Sequence, residues 1–192
     1  MMIPLPTGPF SLIMSDPPWR FATRSPKGLK KSPQAHYDCM ALSDIKEIPV
    51  ASVAAPDCLL LMWATAPMLP QAMELMEAWG FTYKTMGAWA KQSSTGRKWA
   101  FGTGYILRSA SEPFLIGTRG APKVVSRSER NLIAAPIREH SRKPDDCRRM
   151  LERMIPQGRR LEMFAREAAP GWDAWGNQVD HFAHHQTLEA AE

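Results

Sequence analysis

Residues 15–19 read Ser-Asp-Pro-Pro-Trp, and these residue types in this order offer an uncommon set of contacts. Asp16 supplies a carboxylate acceptor, Pro17 and Pro18 lack N–H groups and leave rigidly held carbonyls, and Trp19 adds a broad indole face. Paired acceptors beside an aromatic platform suit a planar ring that carries an exocyclic amino group. The lone pair of such an amine is delocalised into its ring, which makes the amine a poor nucleophile. Accepting its two hydrogens localises that pair, and stacking holds the ring in place. The plain alternative is a turn followed by a core tryptophan. Asp-Pro turns alone are common, but the four-residue string arises by chance in roughly one of a few thousand chains of this length, so the specific chemistry is the stronger reading.

An element must hold this string. FSLIM over 10–14 is a short apolar run that breaks at Asp16-Pro17, as a buried strand ending in a loop does. In open α/β sheets ligands bind beyond the carboxyl ends of the strands, which is where this loop would sit. A loop to about residue 41 and a short helix from Ser43, with Ser43 as its N-cap, come next. DCLLLMWA over 57–64 predicts a second buried strand. Leu69, Ala72, Met73, Met76 and Trp79 then recur at helical spacing up to Gly80, which predicts a helix over 67–79 with a glycine stop. Extended structure is predicted for 81–90, a mobile loop for 92–110, and a strand for 112–118 with Pro113 at its start or at a sheet edge. After a short strand near 132–134, Cys147, Met150, Leu151 and Met154 form one stripe of a helix over 144–155, and RLEMFA over 160–165 is the last predicted strand. Strands alternating with helices predict a Rossmann-like α/β fold: a mostly parallel central sheet with helices on both faces. One domain over 1–180 is expected, with a polar tail over 181–192.

Composition excludes several classes. With 192 residues, 44% hydrophobic and 22% charged, the chain is neither disordered nor collagenous, and at this size about 70% of the unfolded surface can be buried without staples. Cys39, Cys58 and Cys147 are odd in number and far apart, so neither a disulfide framework nor a zinc site is expected. No apolar run reaches the roughly eighteen residues of a membrane span, and MMIPLPTGPF has no basic start followed by an apolar stretch, so no membrane association and a cytoplasmic location are expected. The formal charge is +5 and its distribution is uneven. Segments 24–31, 91–108 and 119–130 hold half of the Lys and Arg residues against a single acid, Glu129. Rising from the carboxyl edge of the sheet, these loops would grip phosphates, with Lys91, Arg97 and Lys98 as candidates, while Trp99, Phe101 and Tyr105 would stack on bases or wedge one out of a duplex. The alternative is a solvated charged face. HFAHH from His181 makes a weak metal site, and no metal is expected.

Beyond DPPW, the chain has His36-Tyr37 followed by Met40, LLLMWAT, Trp89-Ala90-Lys91, Ser111-Glu112 with FLIGTRG, HSRKPDD from His140, LEMFAR ending at Arg166, and PGWDAWGNQVD from Pro170. In these blocks and their order, from about residue 10 to 180, it resembles the MTA-seventy family of DPPW-motif adenine N6-methyltransferases. The resemblance implies a class I methyltransferase fold that uses S-adenosylmethionine, with the catalytic strand ahead of the cofactor strand in a permuted order. No GxGxxG follows any strand, so cofactor contacts must come from elsewhere. The positions that match are Asp16, Lys143, Arg166, Asn177 and Gln178. Lys143 and Arg166 would neutralise the methionine carboxylate, and Asn177 and Gln178 would meet ribose hydroxyls and the adenine edge. Tyr37, with His36 at the rim, and Glu112 match substrate-side positions, though Glu112 could equally pair with a nearby arginine. Ala165 stands where many relatives have glycine, adding a methyl that tightens the pocket without loss of binding.

These features together predict methyl transfer to the N6 amine of adenine in nucleic acid, DNA before RNA. The alternatives are the RNA substrate, a catalytically silent nucleic-acid-binding or partner subunit, and methylation of a protein amide. Specificity is expected from the loops or from a partner, and a homodimer or a complex with a partner subunit are the assemblies considered.

Overall fold

The computed structural model describes residues 3–20, 39–139 and 141–182. Among these described residues, seven strands form one sheet: β1 (Phe10–Ser15), β2 (Ala54–Trp63), β3 (Thr82–Gln92), β4 (Ser111–Arg119), β5 (Leu132–Pro136), β6 (Arg160–Met163) and β7 (Asp173–Trp175). Their spatial order is β5-β3-β4-β2-β1-β6-β7. β1 lies parallel to β2 and β6, β6 to β7 and β3 to β5, whereas β4 pairs antiparallel with both β2 and β3. Six strands therefore share one direction and β4 alone opposes them, as in a Rossmann-like α/β sheet.

Strand alternation sends apolar side chains to both faces. Ile13, Leu60 and Met62 join one core with Ile45, Val50, Ala72, Leu75 and Met76, which come from α1 (Leu42–Lys46), α2 (Val50–Val53) and α3 (Leu69–Ala78). Leu12, Met14, Leu59, Leu61 and Trp63 join a second core with Cys147, Met150 and Leu151 of α4 (Asp145–Met154). Helices thus cover both faces, as the sequence predicts.

α3 follows a 3₁₀ turn at Ala66–Met68 and stops at Gly80, whose φ is +80°. There Gly80 N–H donates to Glu77 O and Phe81 N–H to Met76 O, a Schellman closure that needs a left-handed residue at this position. One expectation changes, one pair of alternatives is decided, and one strand is new. α1 begins at Leu42 with Ala41 as N-cap, and the Ser43 hydroxyl donates to Asp44 instead. Pro113 is near the start of β4, but β4 is an interior strand; the Pro113 carbonyl still accepts from Ala64 N–H. β7 is not foreseen at all, because three residues are too few to show a period.

Among the described residues, no helix is long and apolar enough to cross a membrane, and no group of three or more His, Cys, Asp and Glu is placed to hold a metal ion. Residues 24–31, His36, Tyr37, His140 and the tail from residue 183 lie outside the described residues.

Candidate active site

The chain leaves β1 on one side to build β2, β4, β3 and β5, then returns to the other side of β1 for β6 and β7. This reversal opens a crevice between the carboxyl ends of β1 and β6, the place where open α/β sheets bind ligands. The two ends are level, since Ser15 pairs with Met163. Asp16 follows one and Phe164-Ala165-Arg166 the other. A cleft opens here, lined by residues that include Asp16, Trp63, Lys143, Phe164, Arg166 and Phe182.

At its centre lies an alternating chain of charges. Lys143 Nζ is 2.8 Å from Asp16 Oδ2 and 2.7 Å from Glu112 Oε1, and Glu112 Oε2 is 2.8 Å from Lys91 Nζ. The side chains of Lys143 and Glu112 are only 13% and 15% exposed, so each charge depends on its neighbours more than on water. β3 and β4 bring Lys91 and Glu112 together through the facing of Trp89 and Glu112. Lys143 descends from the loop before α4.

Burial disfavours the charged form of Lys143, yet attraction to Asp16 and Glu112 outweighs it and raises the ammonium above its ordinary value. Burial likewise opposes ionised Glu112, but Lys143 and Lys91 hold its carboxyl down at about 2. Loss of water lifts the Asp16 carboxyl above its usual range against the pull of Lys143, and Glu112 adds to the rise.

Trp19 does not form an open platform. Its indole is 4% exposed and packs in the first core, where Nε1 donates to Trp63 O at 3.1 Å. The aromatic end of the string is an anchor that fixes the loop to β2. Pro17 O accepts from Trp19 N–H at 2.8 Å and Pro18 O from Met40 N–H at 3.1 Å; a carbonyl has two lone pairs, so Pro17 keeps one acceptor site.

The cleft wall beyond Lys143 is a second ionic network, which sequence reading does not single out. Arg148 binds Glu162 through two bonds of 2.7 and 3.0 Å and reaches Glu167 at 3.0 Å, while Arg142 spans Glu139 and Glu167. Burial raises the Glu162 carboxyl against the Arg148 hydrogen bonds. β6 carries Arg160 as well as Glu162, so no local pattern marks this wall. Two non-glycine residues of the cleft have left-handed backbones, Ser141 (φ 64°) and Phe164 (φ 58°). Such strain costs about 1–3 kcal/mol per residue and gathers at functional sites. Phe164 is braced edge-on by Trp175, with ring centres 5.3 Å apart.

The family model for MT-A70 matches residues 10–178. The chain belongs to the MT-A70 family. An N(6)-adenosine-methyltransferase MT-A70-like protein of Arabidopsis thaliana is 34% identical over 176 residues, covering 90% of this chain and 24% of that protein. Type II methyltransferase M.MunI of a Mycoplasma species is 30% identical over 192 residues, covering 91% and 80%. The N(6)-adenosine-methyltransferase catalytic subunit METTL3 of Homo sapiens is 28% identical over 177 residues, covering 90% and 29%. The chain thus spans about a quarter of the plant relatives it matches and four-fifths of M.MunI.

Of the positions read from the resemblance to this MT-A70 family, Asp16, Lys143, Glu112 and Arg166 meet at the cleft region. Arg166 stacks its guanidinium 4.8 Å above the Phe182 ring. Asn177 and Gln178 follow β7 at the same edge, Asn177 exposed and Gln178 half-buried, without lining the cleft. Ala165 is buried and donates its N–H to Trp175 O; it does not line the cleft either. Glu112 pairs with two lysines rather than an arginine. Lys91, read as a phosphate contact, has its ammonium turned inward to Glu112 and 5.0 Å over the Trp89 ring, whereas Arg97 and Lys98 are exposed on the following loop.

The third basic segment needs a larger correction. β4 runs backward, so Arg119 faces Cys58 near the amino end of β2, and residues 120–130 leave from the edge opposite the cleft. Of the two basic segments among the described residues, the loop over 93–110 rises beside the site.

Proposed function

We propose that this chain is an S-adenosylmethionine-dependent methyltransferase acting on the N6 amine of adenine in DNA. The observation that carries the reading is Asp16 held by Lys143 at the topological switch point, next to a single remaining acceptor site on Pro17. Family membership supports the chemistry, and the relative covered over four-fifths of its length is named a type II methyltransferase.

The cleft suits a zwitterionic cofactor: Arg166 and Lys143 are cations and Asp16 and Glu162 are carboxylates among its lining. The buried Trp63 Nε1 on the same lining has no hydrogen-bond partner among the described residues, a donor suited to a ligand oxygen. S-adenosylmethionine supplies, when bound, a methyl group on a positively charged sulfur. Asp16 and Pro17 O accept the two amine hydrogens and direct the nitrogen lone pair out of the ring plane. Lys143 fixes the Asp16 carboxylate, and Glu112 fixes Lys143. The proton that the methylated nitrogen gives up passes to Asp16, whose raised carboxyl suits it to take one and return it to water. Alignment rather than a covalent intermediate accounts for the rate.

RNA is the second reading, favoured by the adenosine-methyltransferase names of the plant and animal relatives. Labelled methyl transfer onto DNA and RNA side by side, followed by nucleoside mass spectrometry, separates the two. N6-methyladenine in the DNA digest is expected. Product in RNA alone would replace the substrate, and absence of cofactor binding by calorimetry would leave a silent binding subunit.

A further inference from the structure

The loop over 93–110 is an arm with a shaped tip. Lys91 N–H donates to Ala110 O, Ala100 N–H to Lys91 O and Gly102 N–H to Ser109 O, at 2.8–2.9 Å, which leaves 103–108 as the turn. A Cβ on Gly104 would lie 2.2 Å from Leu107 O, so only glycine permits this closure. Ile106 has a φ of 61°, a costly conformation for a β-branched residue. Arg108 stacks 5.0 Å from the Phe101 ring centre. The result of this strained closure is that Ile106 and Leu107 point into solvent, 105% and 79% exposed, with Trp99 and Phe101 also exposed nearer the base.

Single exposed aliphatics are ordinary, but a cluster raised on a strained arm marks a contact surface. The surrounding charge selects the partner. Residues 93–111 contain Arg97, Lys98 and Arg108 and no acid, which matches a polyanion. A nucleic-acid duplex offers phosphates to those cations and, between its base steps, an apolar slot that aliphatic side chains enter as wedges. There is also a reason for a wedge on this edge. An adenine in a duplex is paired through the very amine that must be methylated, so it must leave the stack before it reaches Asp16.

We propose that Ile106 and Leu107 wedge into double-stranded DNA beside the target adenine and help drive it out toward Asp16. The proposal rests on the adenine-methyltransferase reading and narrows its substrate to the duplex form. The test uses the full chain with the double substitution Ile106→Ser and Leu107→Ser, leaving Arg97 and Lys98 in place. Labelled methyl transfer is measured on unmethylated genomic DNA, native and heat-denatured. Transfer to native DNA should fall roughly tenfold or more, the scale of an unstacking cost left uncompensated, while transfer to denatured DNA stays within about twofold. Gly104→Val, which disturbs the same tip from the backbone, should show the same selective loss. Equal losses on both forms, no loss on native DNA, or a wild type that acts only on single strands or RNA would overturn the wedge alone. So would sedimentation showing that the double substitution dissociates a wild-type oligomer, because the pair would then be a protein contact. A wild type that methylates no nucleic acid would overturn the underlying reading and the wedge with it.

Discussion

Two basic loops leave neighbouring strands and have opposite surroundings. The loop over 93–110 departs from β3 at the cleft edge and holds its cations and apolar tip outward. The segment over 120–131 departs from β4 at the other edge and is tied down along its length. Ala121 N–H donates to Asp57 Oδ1, Val125 N–H to Met154 O, and Ser126 Oγ to Glu129. Val124 packs against the second core, and Arg153 grips Glu129 through bonds of 2.7 and 2.9 Å, which hold that carboxyl down at about 2. Equal charge density therefore serves different ends. One antiparallel strand carries the second loop away from the site, and a loop's charge has functional meaning only once the direction of its strand is known.

Asp16→Ala should lower methyl transfer by roughly 10³-fold, the scale of removing a preorganised polar contact to the reacting group, while calorimetry shows cofactor binding within a few-fold of wild type. Turnover like that of the wild type in this variant would remove the cleft edge from the chemistry altogether. Lys143→Met should cost roughly 10²-fold and should move the acid limb of the kcat/KM profile to higher pH. The sign follows from charge: without the ammonium, the Asp16 carboxyl rises further, and Glu112 rises from about 2, so each is protonated at a higher pH than before. An acid limb that stays in place would show that Lys143 does not control Asp16.

A smaller effect separates the loops directly. Arg97→Ala with Lys98→Ala should raise KM for DNA by roughly threefold to tenfold and flatten its dependence on salt, as the loss of phosphate contacts does. Lys123→Ala with Arg127→Ala should leave both within about twofold; equal responses from the two pairs would dissolve the distinction. Least of all, Asp57→Ala, which removes the acceptor for Ala121 N–H, should lower Tm by about 1–3 °C in a calorimetric scan and leave methyl transfer unchanged.

Much of the frame is legible in the sequence because burial leaves a local pattern. FSLIM and DCLLLMWA identify β1 and β2 as short apolar runs bounded by turn residues, the Cys147, Met150, Leu151 stripe identifies α4 by its helical period, and Gly80 marks the end of α3. Asp16, Lys143 and Glu112 stand out as candidates through their place in the motif blocks, and the structure brings them within direct contact. Trp19 is different. An indole after two prolines satisfies both a platform and a core anchor, and only the hydrogen bond to Trp63 O and the packing around it decide for the anchor. The Arg148–Glu162–Glu167 wall and the left-handed Phe164 have no local signature, since each depends on residues distant in sequence.

By itself the sequence determined the family, the strand that presents Asp16-Pro17-Pro18, and the residues that can carry charge at its end. Tertiary structure alone decided that Lys143 stands between Asp16 and Glu112, that Lys91 faces inward, and that residues 120–131 lie at the far edge. The physical reason is that side-chain periodicity records how deeply a residue is buried, whereas strand direction and ionic partners are set by hydrogen bonds between segments far apart in the chain.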